Sequence, residues 1–211
     1  MLHKETVEPE TLDLLKKLML LPDFRQFRLV GGTALSLLFG HRKSIDLDLF
    51  TDEPFDRETI LYTLQTNFSE FTFADQKSPR LLFTTINKVK VDFVHTFERF
   101  FSPVEVIDEI RFASPPEIIA LKLNAIAGRG AKKDFWDLNT LLKAYSLEQM
   151  FNFYQERYPN NSLMMVVKSI PYFVEADFDI DPICFKECSW DNIKNNILKA
   201  FNKYINTDNG C

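Results

Sequence analysis

The chain has 211 residues, 45% hydrophobic and 26% charged, which fits one large globular domain or two small ones. The formal net charge of −5 excludes a protein whose whole surface binds nucleic acid, so any such contact needs a local basic patch. Three cysteines cannot form a complete disulfide framework, which indicates a reducing compartment. No run approaches the roughly 18 apolar residues of a membrane span, and the N-terminus lacks the apolar core of a signal peptide. We therefore expect a cytoplasmic protein with no membrane partner.

The chain opens with a helix, a short strand and a glycine turn. Apolar residues at three- and four-residue spacing predict a helix over residues 9–20. Residues 27–30 are typical of a short buried strand, which Gly31-Gly32 ends. Residues 33–39 then predict a helix, so the order is strand, glycine turn, helix. We expect the 21 Phe residues to form a Phe-rich core, and composition alone does not support the alternative that Phe rings stack on bases.

Two further segments predict strands that carry carboxylates. Residues 45–50 alternate, with apolar side chains on one face and Asp46 and Asp48 on the other. A turn at Asn87-Lys88 predicts a hairpin, and Asp92 lies on the second strand of that hairpin. The other elements predicted in this half are a helix at about 56–67, which begins at Asp56, and extended segments at 71–74, 80–86 and 90–94.

From residue 112 onward the patterns are helical. Ser114-Pro115-Pro116-Glu117 is typical of a helix start, with Ser114 as the N-cap residue and Glu117 three residues on. Ser146 and Gln149 give a second capping signal. The later segments are predicted as helices at about 135–142, 146–157, 161–170 and 189–205, with a loop over 171–188.

These elements predict an α/β (α+β) fold. A mixed sheet with flanking helices occupies residues 1–110, and a helical half occupies residues 111–211. No linker rich in Gly or Ser separates the halves, so we expect the helical domain to pack against the α/β domain.

Asp46, Asp48 and Asp92 are the candidate metal ligands. Asp is a poor strand former, so two of them on one face of a short strand indicate a function that offsets the cost. Asp92 lies between apolar neighbours in its strand and would add a third carboxylate. Mg²⁺ and Mn²⁺ prefer such oxygen ligands, and a two-metal site supports in-line phosphoryl displacement. Each carboxylate taken alone could equally face solvent.

Gly31, Gly32 and Thr33 are the candidate phosphate-binding turn. Glycines let the backbone approach a phosphate closely, and Thr33 opens a helix whose free N–H groups and dipole favour anions. The turn is not a P-loop, since Gly-Lys-Ser/Thr is absent, and it is not a G-x-G-x-x-G dinucleotide motif. Taken alone, it could be a tight turn that binds no ligand.

The order of these features resembles the polymerase-beta-like nucleotidyltransferases, which place a phosphate turn before two carboxylates and a third carboxylate on a later strand. Within that superfamily, Leu29–Leu35 and Gly40–Phe50 are similar to the AbiEii/AbiGii toxin family, nucleotidyltransferase toxins of abortive-infection and toxin–antitoxin systems. Leu121–Arg129 and Lys132–Leu138 resemble the lysine-and-aspartate motif of that family. The resemblance covers about residues 27–142.

The resemblance implies a role for each matching residue. The nucleotide would bind at Gly31, Gly32, Thr33 and Lys122, and the catalytic residues would be Asp46, Asp48, Asp92, Lys122 and Asp134. Without the resemblance, Lys122 would be read as a lysine at the edge of a helical core. Asp134 and Asp137 could equally be helix N-terminal charges. Arg42 could clamp a triphosphate with its guanidinium group, or lie in a solvated loop.

The leading hypothesis is an enzyme that moves a nucleoside monophosphate from an NTP to an acceptor. The resemblance implies an RNA acceptor, such as a tRNA 3′ end, and a cognate antitoxin protein. Arg129, Lys132 and Lys133 form a compact basic cluster, which is the candidate nucleic-acid contact. Two alternatives stay open. One is a small-molecule nucleotidyltransferase of the aminoglycoside-modifying kind, which the net acidity slightly favours, and the other is nucleotide or partner binding without turnover.

Overall fold

In a computed structural model of the protein, the described residues are 1–74, 78–185 and 189–208. They form two compact units. The first comprises Met1–Gly40 and Ser44–Ser114, and the second comprises His41–Lys43 and the chain from Pro115 onward. We propose that these units are the two domains predicted from the sequence, with the boundary after Ser114 instead of near residue 110.

The first unit is a mixed sheet with helices. The helices, numbered in chain order, are α1 (Pro9–Leu20), α2 (Gly31–Phe39) and α3 (Arg57–Asn67). The strands are β1 (Arg28–Val30), β2 (Leu47–Thr51), β3 (Phe71–Phe73), β4 (Leu81–Ile86), β5 (Val89–His95), β6 (Glu105–Ile107) and β7 (Ile110–Phe112). The predicted mixed α/β fold is confirmed.

The strands are hydrogen-bonded in the order β3-β4-β5-β2-β1-β7-β6. β2 pairs with β5 in parallel, as β1 does with β7, and the other neighbours are antiparallel. Two parallel neighbouring strands need a long connection between them. The connection from β2 to β5 contains α3, β3 and β4. The sequence patterns do not predict the β6–β7 hairpin, whose strands have three residues each.

The sheet buries one face and leaves the other partly open. In β2, β4 and β5, buried residues alternate with half-buried or exposed ones. Aromatic rings pack on the buried face, where the ring centroid of Phe93 lies 5.2 Å from that of Phe24 and 5.3 Å from that of Phe27. The opposite face carries Asp48 and Asp92 together with the other side chains that alternate with the buried ones. We call it the carboxylate face.

The second unit is helical. Its helices are α4 (Pro115–Gly128), α5 (Lys132–Leu141), α6 (Leu147–Arg157), α7 (Leu163–Ser169) and α8 (Trp190–Asp208). α4 packs against α5, α6 and α7, and α8 packs against α5 and α6. The predicted loop contains a short 3₁₀ turn at Ala176–Phe178, and its residues 186–188 lie outside the described residues. In the described ranges, no helix has the length and apolar character needed to cross a membrane.

Local sequence signals set several of the helix ends. Gly40 ends α2 with a φ of 63°, a left-handed conformation that favours glycine. Asp56 begins α3 by accepting hydrogen bonds from two backbone N–H groups, and Ser146 begins α6 with a complete capping box. α4 begins at Pro115, where the Ser114-Pro115 signal predicts it, but the side chain of Ser114 does not cap the helix. Its hydroxyl is buried without a hydrogen-bond partner among the described residues, and Glu117 forms a buried ion pair with Arg157 instead.

Candidate active site

Two carboxylates lie side by side on the carboxylate face. Asp48 in β2 pairs in register with Asp92 in the parallel strand β5, and Val30 at the end of β1 pairs with Asp48 from the other side. Neighbouring strands lie about 4.8 Å apart, and in-register residues point to the same face of a sheet. The structure therefore brings Asp48 and Asp92 together on one face, as a shared metal site requires.

Asp46 lies just outside the strand, contrary to the expected alternation over residues 45–50. β2 begins at Leu47, and Ile45, which was expected on the buried face, is 60% exposed. The hydroxyl of Thr33 contacts the backbone carbonyl oxygen of Asp46 and lies 2.9 Å from the hydroxyl of Ser44. The Thr33 side chain is thus buried and engaged in holding this segment, so a phosphate contact at Thr33 would fall to its backbone N–H.

Gly31 lies directly against Asp48. It is the first residue of α2 and has a φ of 71°, in the left-handed region that favours glycine. A Cβ atom added at Gly31 would lie 2.1 Å from Asp48 Oδ2, so any side chain at this position would displace that carboxylate. The first N–H groups of a helix lack partners within the helix, and no side chain in the described residues caps α2. An anion bound by Gly31 and Gly32 would therefore lie close to the carboxylates.

Lys90 is a residue of this site that the sequence analysis did not single out. Its Nζ lies 3.0 Å from Asp92 Oδ2, and its side chain is 57% exposed. The hydrogen bond with Asp92 raises the pKa of Lys90, and the charges of Asp46 and Asp48 add to the increase. The available signal was its position two residues before Asp92 in the same strand, which places both side chains on the carboxylate face.

The carboxylate face suits a divalent cation, although no cation site is preassembled. Within residues 1–74, 78–185 and 189–208, no three His, Cys, Asp or Glu side chains are grouped closely enough to hold a metal ion. Asp92 Oδ1 is nevertheless buried and has no hydrogen-bond partner among these residues. The same carboxyl group binds the Lys90 ammonium through its other oxygen. The joint binding of one ion by Asp46, Asp48 and Asp92 stays a prediction.

The second unit contains a separate group of buried charges. Lys122 Nζ lies 2.9 Å from Asp134 Oδ1 and 2.7 Å from Asp137 Oδ2. Arg42 binds Asp137 with two prongs, at 2.7 Å from Nε to Oδ1 and at 2.8 Å from a terminal nitrogen to Oδ2. His41 Nε2 lies 2.7 Å from Asp137 Oδ1. We call Arg42, Lys122, Asp134, Asp137 and His41 the buried charge cluster.

The cluster corrects three expectations about single residues. Lys122 does not extend along the edge of the core, since only 6% of its side chain is exposed and two carboxylates hold its ammonium group. Arg42 is not in a solvated loop, because its guanidinium group is buried and forms a two-pronged ion pair with Asp137. Asp137, which could have been a simple helix N-terminal charge, is fully buried at the centre of the cluster. Asp134 lies in the first turn of α5 and also binds Arg129 at 2.9 Å.

The pKa values in the cluster show that its charges stabilise one another. Burial alone would raise the pKa of Asp137, but the neighbouring charges of Lys122 and Arg42 outweigh it and hold this pKa well below 3.8. Burial likewise opposes the charge of Lys122, yet Asp137 and Asp134 raise its pKa above the usual value. Both aspartates and the lysine are therefore ionised together at neutral pH.

The predicted basic cluster is not one exposed patch. Lys132 is buried, its backbone N–H donates to Asp179 Oδ2 at 2.9 Å, and its Nζ lies 3.0 Å from Asp181 Oδ1. The side chain of Arg129 is 59% exposed but binds Asp134. Lys133 is exposed. Lys132 turns inward because acidic residues of the segment after α7 neutralise it, which a short stretch of sequence does not reveal.

Comparisons with known proteins agree with this architecture. The family profile described as "Nucleotidyl transferase AbiEii toxin, Type IV TA system" matches residues 13–182. The uncharacterized protein aq_aa25 of Aquifex aeolicus is 29% identical over 94% of this chain and 98% of its own length.

Two solved structures share the fold. JHP933 from Helicobacter pylori is 17% identical, with a TM-score of 0.55 over 96% of each chain. MenT4, a nucleotidyltransferase toxin from Mycobacterium tuberculosis H37Rv, is 15% identical, with a TM-score of 0.53 over 92% of this chain and 84% of MenT4.

Proposed function

Because the chain belongs to the AbiEii family of nucleotidyltransferase toxins and is itself a nucleotidyltransferase, we propose that it moves a nucleoside monophosphate from an NTP to an acceptor hydroxyl on the carboxylate face. The in-register pairing of Asp48 with Asp92, directly beside Gly31, is the observation that carries this proposal. Phosphates bound by the backbone at Gly31 would lie within reach of both carboxylates.

The proposed reaction is a single in-line displacement. The acceptor oxygen forms a bond to the α-phosphorus, and the bond from that phosphorus to the oxygen bridging it to the β-phosphate breaks. Pyrophosphate leaves, and the proton of the acceptor hydroxyl passes to water. The backbone N–H groups of Gly31, Gly32 and Thr33 would hold the phosphates, since the start of α2 offers unpaired donors and a favourable dipole.

A divalent ion such as Mg²⁺ or Mn²⁺ would be held by Asp48 and Asp92, with Asp46 beside them. The donor set fits, because carboxylate oxygens are the ligands that these ions prefer and Asp92 Oδ1 lacks a hydrogen-bond partner in the described chain. Lys90 supports the same placement, since its ammonium group is already stabilised there by the aspartates. When bound, the ion would neutralise phosphate charge and polarise the acceptor hydroxyl.

Lys122 and Asp134 have a more limited place in the proposal. In the free protein, the ammonium group of Lys122 is held by Asp134 and Asp137. A nucleotide phosphate would have to compete with both carboxylates for it. We therefore propose that Asp134 and Asp137 hold the ammonium group of Lys122 in the free protein, and that this group turns to the nucleotide phosphates when an NTP binds.

We propose RNA as the acceptor, with a tRNA 3′ end as the first substrate to test and a cognate antitoxin as partner, acting in the cytoplasm. The toxin family supports this choice. A small-molecule acceptor is the second candidate. Two observations favour it: the net charge is −5, and the basic cluster expected to bind nucleic acid contains a buried Lys132.

The direct test is release of pyrophosphate from each NTP with Mg²⁺ and either RNA or small alcohols as acceptors. Asp48→Asn is expected to lower turnover by about a hundredfold or more, because charge stabilisation in the transition state is lost. Asp13→Asn, at an exposed position of α1, is the matched control and should keep full activity. Turnover near the wild-type rate in Asp48→Asn would exclude this carboxylate from the reaction.

A further inference from the structure

An aromatic ring completes the row of side chains on the carboxylate face. Phe83 in β4 pairs directly with Asp92 in β5, and directly opposed residues share one face of an antiparallel pair. Its neighbours Leu82 and Thr84 point to the buried face, whereas Phe83 is half-buried. The ring centroid of Phe83 lies 5.9 Å from the ammonium group of Lys90. A partly open ring and a cation therefore flank Asp92.

The order of residues across the sheet places the Phe83 ring at the opposite end of this row from Gly31. Gly31 contacts Asp48, Asp48 pairs with Asp92, and Asp92 pairs with Phe83. In an in-line displacement, the leaving pyrophosphate and the attacking hydroxyl lie on opposite sides of the reacting phosphorus. If the phosphates lie at the Gly31 end of this row, the acceptor enters from the Phe83 end.

We propose that Phe83 is a stacking platform for the terminal base of a single-stranded RNA acceptor, a conclusion that rests on the proposed nucleotide transfer. Every base has a π-face that can stack on an aromatic side chain, which would bring the attached ribose hydroxyls next to Asp92. Lys90 lies beside both groups and would turn from Asp92 to a phosphodiester of the bound strand. The acceptor is thereby recognised by stacking and by one cation, and needs no extended basic surface.

This placement also accounts for the acidic net charge of the protein. A protein that binds an RNA chain through many phosphates is expected to be basic. A protein that recognises the last nucleotide by stacking needs few phosphate contacts, and because the salt dependence of affinity scales with the number of phosphates neutralised, that dependence should be weak. A small acceptor without an aromatic ring would gain nothing from Phe83, so the role of this residue separates the two acceptor classes.

The test measures binding of a short single-stranded RNA that ends in 2-aminopurine to the full chain, without NTP and in the presence of EDTA. Phe83→Leu keeps an apolar side chain but removes the π-face, and it should weaken binding about five- to a hundredfold and abolish quenching of the fluorescent base. Phe83→Trp should preserve both signals. Phe73→Leu is the control, because Phe73 is 43% exposed but pairs with Thr84 and so belongs to the opposite face.

A second arm needs no altered protein. An RNA whose terminal residue is abasic should bind wild-type protein as weakly as the intact RNA binds Phe83→Leu. Equal affinity of wild-type protein for the intact and abasic strands, or of Phe83→Leu and wild type for the intact strand, would overturn the proposal. Loss of RNA binding in Phe73→Leu would do the same.

The outcomes separate this inference from the proposed function. Magnesium-dependent consumption of NTP by a wild-type protein that binds no RNA would contradict the stacking role of Phe83. It would still support nucleotide transfer, with a small molecule as acceptor. RNA binding that depends on Phe83 in a protein that consumes no NTP would contradict the transfer reaction while preserving the platform.

Discussion

The carboxylate face of the first unit and the buried charge cluster of the second both combine aspartates with a lysine, but their carboxylates differ in exposure and in the number of their partners. On the carboxylate face, Asp92 keeps an oxygen without a hydrogen-bond partner in the described chain, and its cation Lys90 is more than half exposed. In the cluster, Asp137 is fully buried and three side chains bind its two oxygens. The two aspartates are thus distinguished by how many hydrogen-bond and ion-pair partners their oxygens have within the described chain, which the residue type alone does not reveal.

The largest expected effect lies in the cluster. Asp137→Leu would leave Arg42 and Lys122 buried without their shared counter-ion, and removing one partner of a buried ion pair costs about 3–5 kcal/mol. The free energy of unfolding from urea denaturation should fall by that amount. Asp48→Asn should change it by less than about 0.5 kcal/mol, as a substitution on the open face. Similar decreases in the free energy of unfolding of the two variants would contradict the distinction between the buried charge cluster and the carboxylate face.

A smaller effect is expected at the glycine that touches the carboxylate face. Gly31→Ala would place a Cβ atom against Asp48 Oδ2 at a positive φ, which costs about 1–2 kcal/mol and displaces the carboxylate. NTP binding, measured by calorimetry with Mg²⁺, should weaken. Gly128→Ala is the control, because a Cβ there meets nothing within 4 Å. Unchanged NTP affinity in Gly31→Ala would show that phosphates bind elsewhere.

The smallest effect is a dependence of stability on pH. The pKa of Asp137 is held well below 3.8 in the folded protein, and that of Asp134 is also lowered. Their stabilisation is therefore fully present above about pH 4 and is lost as the pH falls through the folded values. Unfolding measured from pH 7 to pH 3 should show a flat region followed by a decline, and Asp137→Asn should reduce the decline. An unchanged slope in that variant would assign the acid sensitivity to other groups.

Much of the carboxylate face could be predicted from the sequence because its signals are local. The glycine turn, the helix after it and the alternation around Asp48 all depend on neighbouring residues, and each was found close to its predicted place. The pairing of β2 with β5 is a contact between distant segments, so no local pattern predicts that Asp48 and Asp92 are in register. The number of Phe residues likewise does not single out Phe83. It differs from the core Phe residues in its pairing with Asp92 of β5, which only the structure shows.

The cluster was harder to predict for the same physical reason. Lys122 has apolar neighbours on α4, and its partners come from α5, so the helix alone suggested a lysine at the edge of a core. The useful signal was the spacing of Asp134 and Asp137, which lie three apart and share one face of a helix. A lysine within an apolar helix and two such aspartates on the next helix indicate a buried ion pair better than either feature alone.

Binding of Mn²⁺ is the most direct test of the central claim, that the carboxylate face holds the metal. Mn²⁺ titrated with an NTP analogue that cannot react can be followed by its paramagnetic resonance signal in the wild type and in Asp48→Asn, Asp92→Asn and the control Asp13→Asn. We expect tight binding in the wild type and the control, and its loss in both site variants, with all four proteins equally folded by circular dichroism. Wild-type affinity for Mn²⁺ in Asp48→Asn and Asp92→Asn would contradict the account.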